Sequence, residues 1–346
     1  MKKKEKTAVS ICLALALILC VGTATFAGGQ KAATAEEFFK GKTINFIVTN
    51  EPGSGFDTYT RAVAPYVQKN IPGSKIIVTN MDEAGGIIGQ NKAFAAEPNG
   101  LTICMTSGAG MLFAQLRELP GVKFDLREHI WLGRVAAEVH VMVVSAKSPF
   151  RSWDDVVSYK EPFRFSASGV GSDDYIVVEI IRDALDLPLE QIVGYEEGGE
   201  WLATVKGEAW GVQGSWSSVR QFMDSGDVIP VLQTTTERSD ILPDVPTIVE
   251  VLPEDKKDLG RACASIFAFD RVICAPPGVP EDRVRVLREA FKKAFDDPGY
   301  QADLKKLKRP HVPATGEETE TMMRQAFAQA DTLAAILEKL PRVEED

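Results

Sequence analysis

The sequence predicts an α/β protein of two lobes, and three observations carry that prediction. An apolar run within residues 43–57 (TINFIVTNEPGSGFD) breaks at a glycine-rich corner and passes into a helix. Strand-like and helix-like stretches then alternate as βαβαβ, the pattern of a parallel sheet with helical crossovers. The strand, glycine corner and helix start recur from residue 163, as FRFSASGVGSDDYIVVEIIRDAL.

Residues 32–42 read as a lead-in helix or arm. The first strand holds Ile44, Phe46, Ile47 and Val48, and the corner is Gly53-Ser54-Gly55. Beyond it Tyr59, Ala62, Val63, Tyr66 and Val67 share one helix face. Ser54 with Asp57 three residues on reads as a capping box. Such a corner aims unpaired amides and the positive end of a helix dipole at one point, which makes an anion site. The plainer alternative is a βα turn in which the glycines supply φ > 0 and Asp57 only caps. The second corner, Ser168-Gly169-Val170-Gly171-Ser172, with Val177, Ile180, Ile181, Ala184 and Leu185 on the helix behind it, favours one ligand held between two lobes.

A strand at 75–79, a glycine turn at 80–89 entering a helix, and a strand at 101–105 ending at Thr106-Ser107-Gly108 put three corners on one sheet edge, where open α/β sheets bind ligands. Segments 130–135 and 139–145 are β-rich, and the crossing into the second lobe is placed near 149–155. That lobe holds strands near 163, 191–195, 209–213 and 228–233 and a helix near 200–206. The apolar run 264–275 reads as the return strand. Two closing helices carry Val284, Leu287, Phe291 and Phe295, then Met323, Phe327, Ala330, Leu333, Ala334 and Leu337. Two passages between lobes imply a two-strand hinge able to close. The expected division is 41–145 with 266–346 in one lobe and 146–265 in the other.

Residues 1–27 join Lys2, Lys3, Lys4 and Lys6 to a short apolar run and a small-residue end, the form of a secretory signal peptide. They carry a net +3, so the remainder carries −13 against −10 overall. A body so acidic is a poor partner for nucleic acid or anionic lipid, and it leaves an anionic ligand to local dipoles. Cys104, Cys263 and Cys274 are an odd set, no disulfide framework; a Cys263–Cys274 bridge competes with buried thiols, which the surrounding apolar runs favour. His129, His140 and His311 have no metal-ligand spacing, and His140 reads as a packed core residue.

Five segments in order resemble the tripartite tricarboxylate transporter substrate-binding proteins, also called Bug receptors: IVTNEPGSGFDTYTR (47–61), VTNMDEAGGIIG (78–89), SASGVGS (166–172), ERSDILPDVPTIVE (237–250) and CAPPGVP (274–280). The resemblance implies a bilobed type II periplasmic binding protein fold, two doubly wound α/β domains on a two-strand hinge. It implies capture of a small organic carboxylate (a di- or tricarboxylate or an aromatic acid) for membrane permease subunits, a periplasmic location, a monomer and no cofactor. Carried over, the ligand residues are Gly53, Ser54, Gly55 and Asp57 on one side and Ser168, Gly169, Gly171 and Ser172 on the other. Phe56, Ser107 and Gln213 complete the candidate set. Ser54, Phe56, Asp173, Asp174, Glu196 and Glu197 depart from the family pattern, and the acids would repel a carboxylate or select a ligand with a cationic group if they point inward. Phe56 and Trp216 read equally as cleft walls or as core aromatics, and Arg61 reads as a salt-bridge partner.

No serine has the G-x-S-x-G setting and no G-x-G-x-x-G occurs. The acid pairs Asp82-Glu83 and Asp154-Asp155 lie in loops where solvation is the ordinary state, which argues against an enzyme. A ligand-binding partner of a membrane sensor would need the same cleft as a transport receptor.

Overall fold

The computed structural model describes residues 34–170, 172–195, 198–329, 332 and 337–338. The signal peptide reading and the positions Gly171, Glu196, Glu197, Ala330, Leu333 and Ala334 lie outside them. The described residues from 39 onward form one compact unit.

Helix α1 (Ala35–Phe39) stands within the expected lead-in segment. Strands β1 (Thr43–Val48), β2 (Lys75–Asn80), β3 (Thr102–Thr106) and β4 (Ile130–Arg134) start the first sheet. Strands β5 (His140–Ser145), β6 (Phe163–Ser166), β7 (Leu189–Ile192), β8 (Gly211–Ser215) and β9 (Val228–Gln233) make the second, in the order β7-β6-β8-β5-β9. The chain then returns, and β10 (Val272–Ala275) and β11 (Ala314–Thr315) complete the first sheet as β11-β4-β10-β3-β1-β2. Strands β1, β2 and β3 are parallel, with α2 (Gly55–Asn70) and α3 (Ile87–Phe94) as their crossovers. Helix α4 (Gly108–Leu116) follows β3. In the second sheet β6 is parallel to β7 and β8. Helices α5 (Trp153–Ser158), α6 (Asp173–Leu185), α7 (Gly199–Lys206) and α8 (Trp216–Asp224) intervene between its strands.

Each sheet also contains a strand that enters against the parallel direction. These are β5, antiparallel to β8 and β9, and β10, antiparallel to β3 and β4. Each is the first strand laid down after the chain passes from one sheet to the other. Both are buried along their whole length, as strands covered on two faces must be.

The return differs from the sequence expectation. Residues 264–268 are not strand but the end of α10 (Lys257–Ala268), which follows the short α9 (Ile248–Val251). Leu259, Ala262, Cys263, Ile266 and Phe267 repeat at helical spacing, and α10 packs against α4 and α13 (Gly316–Ala328). Strand begins only after Phe269, Asp270 and Arg271, and Arg271 is held at φ 47°. Helix α11 (Glu281–Phe295) is as expected, but α12 (Pro298–Lys306), opened by Asp297 and Pro298, was not foreseen because it is short and largely polar. Cys104, Cys263 and Cys274 are free and buried; the residue across the ladder from Cys274 is Cys104, so a Cys263–Cys274 bridge is not formed.

The start of α4 touches the return segment closely. A Cβ on Gly108 would lie 2.1 Å from the Phe269 carbonyl oxygen and 2.7 Å from its ring. Gly108→Ala is therefore expected to destabilise the fold by about 1–3 kcal/mol through overpacking. Denaturant midpoints of the two proteins check this, and equal midpoints would refute it.

Candidate functional site

Corner one folds as the capping pattern requires, with one shift of partner. Ser54 is the N-cap of α2 and its Oγ accepts from the Asp57 amide at 3.2 Å. The Asp57 carboxylate accepts from the Gly53 amide at 2.9 Å, the residue before the cap. It also accepts from Arg61 Nε at 2.8 Å and Asn80 Nδ2 at 3.1 Å. Burial pushes the Asp57 carboxyl up, but the Arg61, Gly53 and Asn80 hydrogen bonds outweigh it and hold the group below the usual range. Asp57 is thus the internal brace of the corner, and Arg61, 52% exposed, is its surface partner.

Corner two is braced in the same way. Asp174 accepts from the amide and hydroxyl of Ser168, at 2.8 and 3.0 Å. The Gly169 amide donates to Ser172 Oγ at 3.2 Å, and the Ser172 amide to the Gly169 carbonyl at 3.0 Å. The Ser54 amide donates to Glu51. Of the loop amides proposed from sequence, those of Gly53, Ser54, Ser168, Gly169 and Ser172 are thereby engaged within their own corners. Gly55 and Phe56, in the first turn of α2, have no amide partner among the described residues.

Two arginines and a serine stand beside Gly55. A Cβ on Gly55 would lie 3.2 Å from Arg271 Nη2, 3.6 Å from Arg309 Nη1 and 3.8 Å from Ser217 Oγ. The Arg271 guanidinium lies 4.8 Å from the Phe56 ring centroid and 5.8 Å from that of Tyr59. It is 2% exposed. Nη1 donates to Asp270 Oδ2 at 2.9 Å and Nη2 to Ser215 Oγ at 3.1 Å, and Nε lies 3.5 Å from Glu138 Oε1. Glu138 comes from the β4–β5 crossing, and its other oxygen accepts from the Ser217 amide at 3.0 Å and from the Ser217 hydroxyl. Both passages between the sheets therefore contribute an ion to one cluster.

His140, at the head of β5, is in that cluster and not merely packed. It stacks on Phe267 with ring centroids 4.1 Å apart. Gln213 Nε2 lies 3.4 Å from its Nδ1, and its Nε2 faces Asp270 Oδ2 at 3.7 Å. Ser107, capping α4, lies beside Asp270. Burial pushes Asp270 up, but His140, Arg271 and Ser107 hold it below the usual range. Glu138 is likewise pushed up by burial and held down by Arg271, Ser217 and Arg309. Asp173, at the start of α6, faces His140 and Asp270, and burial with Asp174 and Asp270 nearby raises it to about 6. Among the described residues no group of three metal-ligating side chains is assembled.

Sequence reasoning placed Gly55, Phe56, Ser107 and Gln213 where the structure brings them together, around Asp270 and Arg271. Trp216 is half-buried and packs against the apolar cluster that contains Val141 and Val143, as the core alternative has it. Sequence reasoning missed Arg271, Asp270, Glu138, Arg309, Ser215 and Ser217. One signal was available, since Asp270-Arg271 interrupts the apolar run 264–275 with two charges. A surface hollow of about 410 Å³ on the outer face of α11, lined by Arg285, Arg288, Lys292 and Glu317 among others, shares no residue with this cluster.

The profile of the tripartite tricarboxylate transporter family receptor matches residues 60–340, most of the chain. The chain belongs to that family. Protein BugT of Bordetella pertussis is 21% identical over 240 residues, 68% of this chain and 73% of that protein. The periplasmic binding protein BugD superposes with TM-score 0.69 at 18% identity, over 87% of this chain and 99% of that one. MatC of Rhodopseudomonas palustris, solved with bound malate, gives 0.68 at 19% identity over 85% and 99%. The fold is theirs: bilobed, and of a solute-binding class. Among the described residues no helix is long and apolar enough to cross a membrane.

Glu200, buried in the first turn of α7, is pushed up to about 7 by burial, with Asp174 and Glu51 adding to the rise. An acid held above its unfolded value contributes stability in full below 4.5 that is lost as the pH rises through about 7. Glu200→Gln is accordingly expected to raise Tm at about pH 8 and to change it little at about pH 5. Thermal melts at the two pH values test this; an equal effect at both would remove the assignment.

Proposed function

We propose that this chain is an extracytoplasmic receptor that captures a small organic carboxylate between its two sheets and presents it to a membrane transport complex. The observation that carries the proposal is the buried Arg271 guanidinium set against the free amides of Gly55 and Phe56, with Arg309 Nη1 buried beside them and without a hydrogen-bond partner among the described residues. A carboxylate leaving water loses several kcal/mol. Each charge-assisted hydrogen bond returns about 1.5–3 kcal/mol, so one guanidinium edge and two amides suffice for useful affinity. The family supports delivery to a permease, and the malate of MatC supports the ligand class.

In this reading the first sheet (β1–β4 with β10 and β11) belongs to one lobe and the second (β5–β9) to the other, with the hinge at the Glu138 and Asp270-Arg271 crossings; the crossing thus precedes β5 and does not follow it near 149–155 as the sequence suggests. A role as the ligand-binding partner of a membrane sensor uses the same cleft. No nucleic-acid partner fits a chain so acidic.

Thermal melts with a panel of mono-, di- and tricarboxylates, aromatic acids and amino acids should show a rise in Tm with at least one compound, through mass action. A panel with no rise would sink the proposal. Arg271→Lys keeps the charge and loses the planar fork, and should weaken that ligand at least about tenfold while the protein stays folded. Arg271→Ala strands two buried carboxylates and should cost about 3–5 kcal/mol of stability as well.

A further inference from the structure

Behind the Arg271 cluster, in the first sheet, two cysteines face each other across a ladder. Cys104 of β3 and Cys274 of β10 are direct partners in an antiparallel pairing. Residues so placed project to the same face, with Cα atoms about 4.5–5.5 Å apart and Cβ atoms about 4.5–5.5 Å apart. A disulfide takes Cα atoms about 4.4–6.8 Å apart and Cβ atoms about 3.5–4.5 Å apart, so the backbone suits one and the Cβ atoms need to close by about 1 Å. The register of β10 on β4 shifts between Ile273 and Cys274, an irregularity at the residue that has to move.

The side chains converge as the backbone requires. Gln90 of α3 donates from Nε2 to Cys274 Sγ at 3.7 Å, and its Oε1 accepts from Cys104 Sγ at 3.8 Å. The same Nε2 lies 2.7 Å from His129 Nε2, and all four residues are buried. Burial pushes the Cys104 thiol well up, and Cys274 adds to the rise. Burial also pushes Cys274 up, but Cys104, His129 and Gln90 outweigh it and hold that thiol well below the usual range. Burial pulls His129 down, but Cys274 and the Ala275 carbonyl outweigh it and raise the ring. The reduced site thus favours a thiolate beside an imidazolium out of water, a costly separation of charge that a neutral disulfide removes.

We propose that Cys104 and Cys274 are joined by a disulfide in the oxidised protein, a covalent staple between β3 and the return strand. The oxidant is itself a disulfide, with oxidised glutathione as the probe. One cysteine thiolate attacks its S–S bond, which breaks to release one glutathione thiol and leave a mixed disulfide on the chain. The second cysteine attacks the protein sulfur of that bond, the Sγ–Sγ bond forms, and the second glutathione leaves as its thiol with the proton. Both cysteines are 0% exposed, so the exchange occurs while the strands are apart. The loop closed in this way contains all of β5 to β9. The staple stands three residues beyond Arg271 and three before Ser107, and it ties together the segments that set Ser107 beside Asp270. Cys263, in α10, stays a free thiol.

The test holds the purified protein in a glutathione redox buffer with urea near its unfolding midpoint, then removes the urea and blocks free thiols with iodoacetamide. Peptide mapping by mass spectrometry without reductant should find the Cys104 and Cys274 peptides linked and Cys263 alkylated. The bridged protein should melt about 5 °C or more above the same sample treated with dithiothreitol, because a long closed loop restrains the unfolded chain. Cys263→Ser should keep the bridge and the rise, and Cys104→Ala should lose both; should Cys104→Ala not fold, the wild-type map and melts decide. The proposal is overturned if Cys104 and Cys274 are recovered alkylated from the oxidising buffer, if Cys263 carries the bridge, or if the bridged protein melts no higher than the reduced one.

Discussion

A guanidinium removed from water is the constraint on which the centre of this molecule depends. The idealised transfer of one such ion into a low-dielectric interior costs on the order of 20 kcal/mol, and several remain after relaxation. Arg271 can be buried only because Asp270, Glu138 and Ser215 meet it. Those partners need partners in turn: Ser217 for Glu138, and His140 and Ser107 for Asp270. The groups come from β3–α4, β5, β8–α8 and both crossings. Electrostatic satisfaction therefore draws the ends of two separate sheets to one place.

The relative strengths decide what the glycine corners do. A helix N-terminus contributes about 0.3–1 kcal/mol toward an anion at the surface, whereas hydrogen bonds to charged groups contribute about 1.5–3. In both corners an aspartate of the chain itself has taken the nearer amides, Asp57 in one and Asp174 in the other. The corners frame a fixed charge, and among the described residues of corner one the amides of Gly55 and Phe56 keep no partner. The expectation that dipoles alone would serve an anion came from a net charge summed over the whole chain, which says nothing about where one arginine is placed.

Most of the architecture was legible because it follows from periodicity. The helix after corner one, the helix after corner two and the strands β1, β3, β6 and β9 lie within a residue or two of where spacing and turn residues put them. What was not legible depended on contacts distant in sequence. The run 264–275 is apolar apart from Ser265 and Asp270-Arg271, yet its first part ends a helix and only its last four residues are strand. The break falls at Arg271, whose left-handed backbone has no local sequence signature. Gly55 and Phe56 could be found because they open the helix of corner one, and Ser107 because it directly follows β3, while Gln213 lies in the middle of β8. Glu138 and Arg309 could not be found, since nothing near them in sequence hints at a partner more than a hundred residues away.

The left-handed turn at Arg271 has a mechanical meaning. Because the guanidinium is rooted in a connecting segment and not on the surface of either half, a rotation of one half against the other would swing the surrounding walls about it and leave the ion near the axis. On the proposed receptor reading, a solute arriving between the halves would then meet its counter-charge already in position, and closure would change only how much water surrounds the pair.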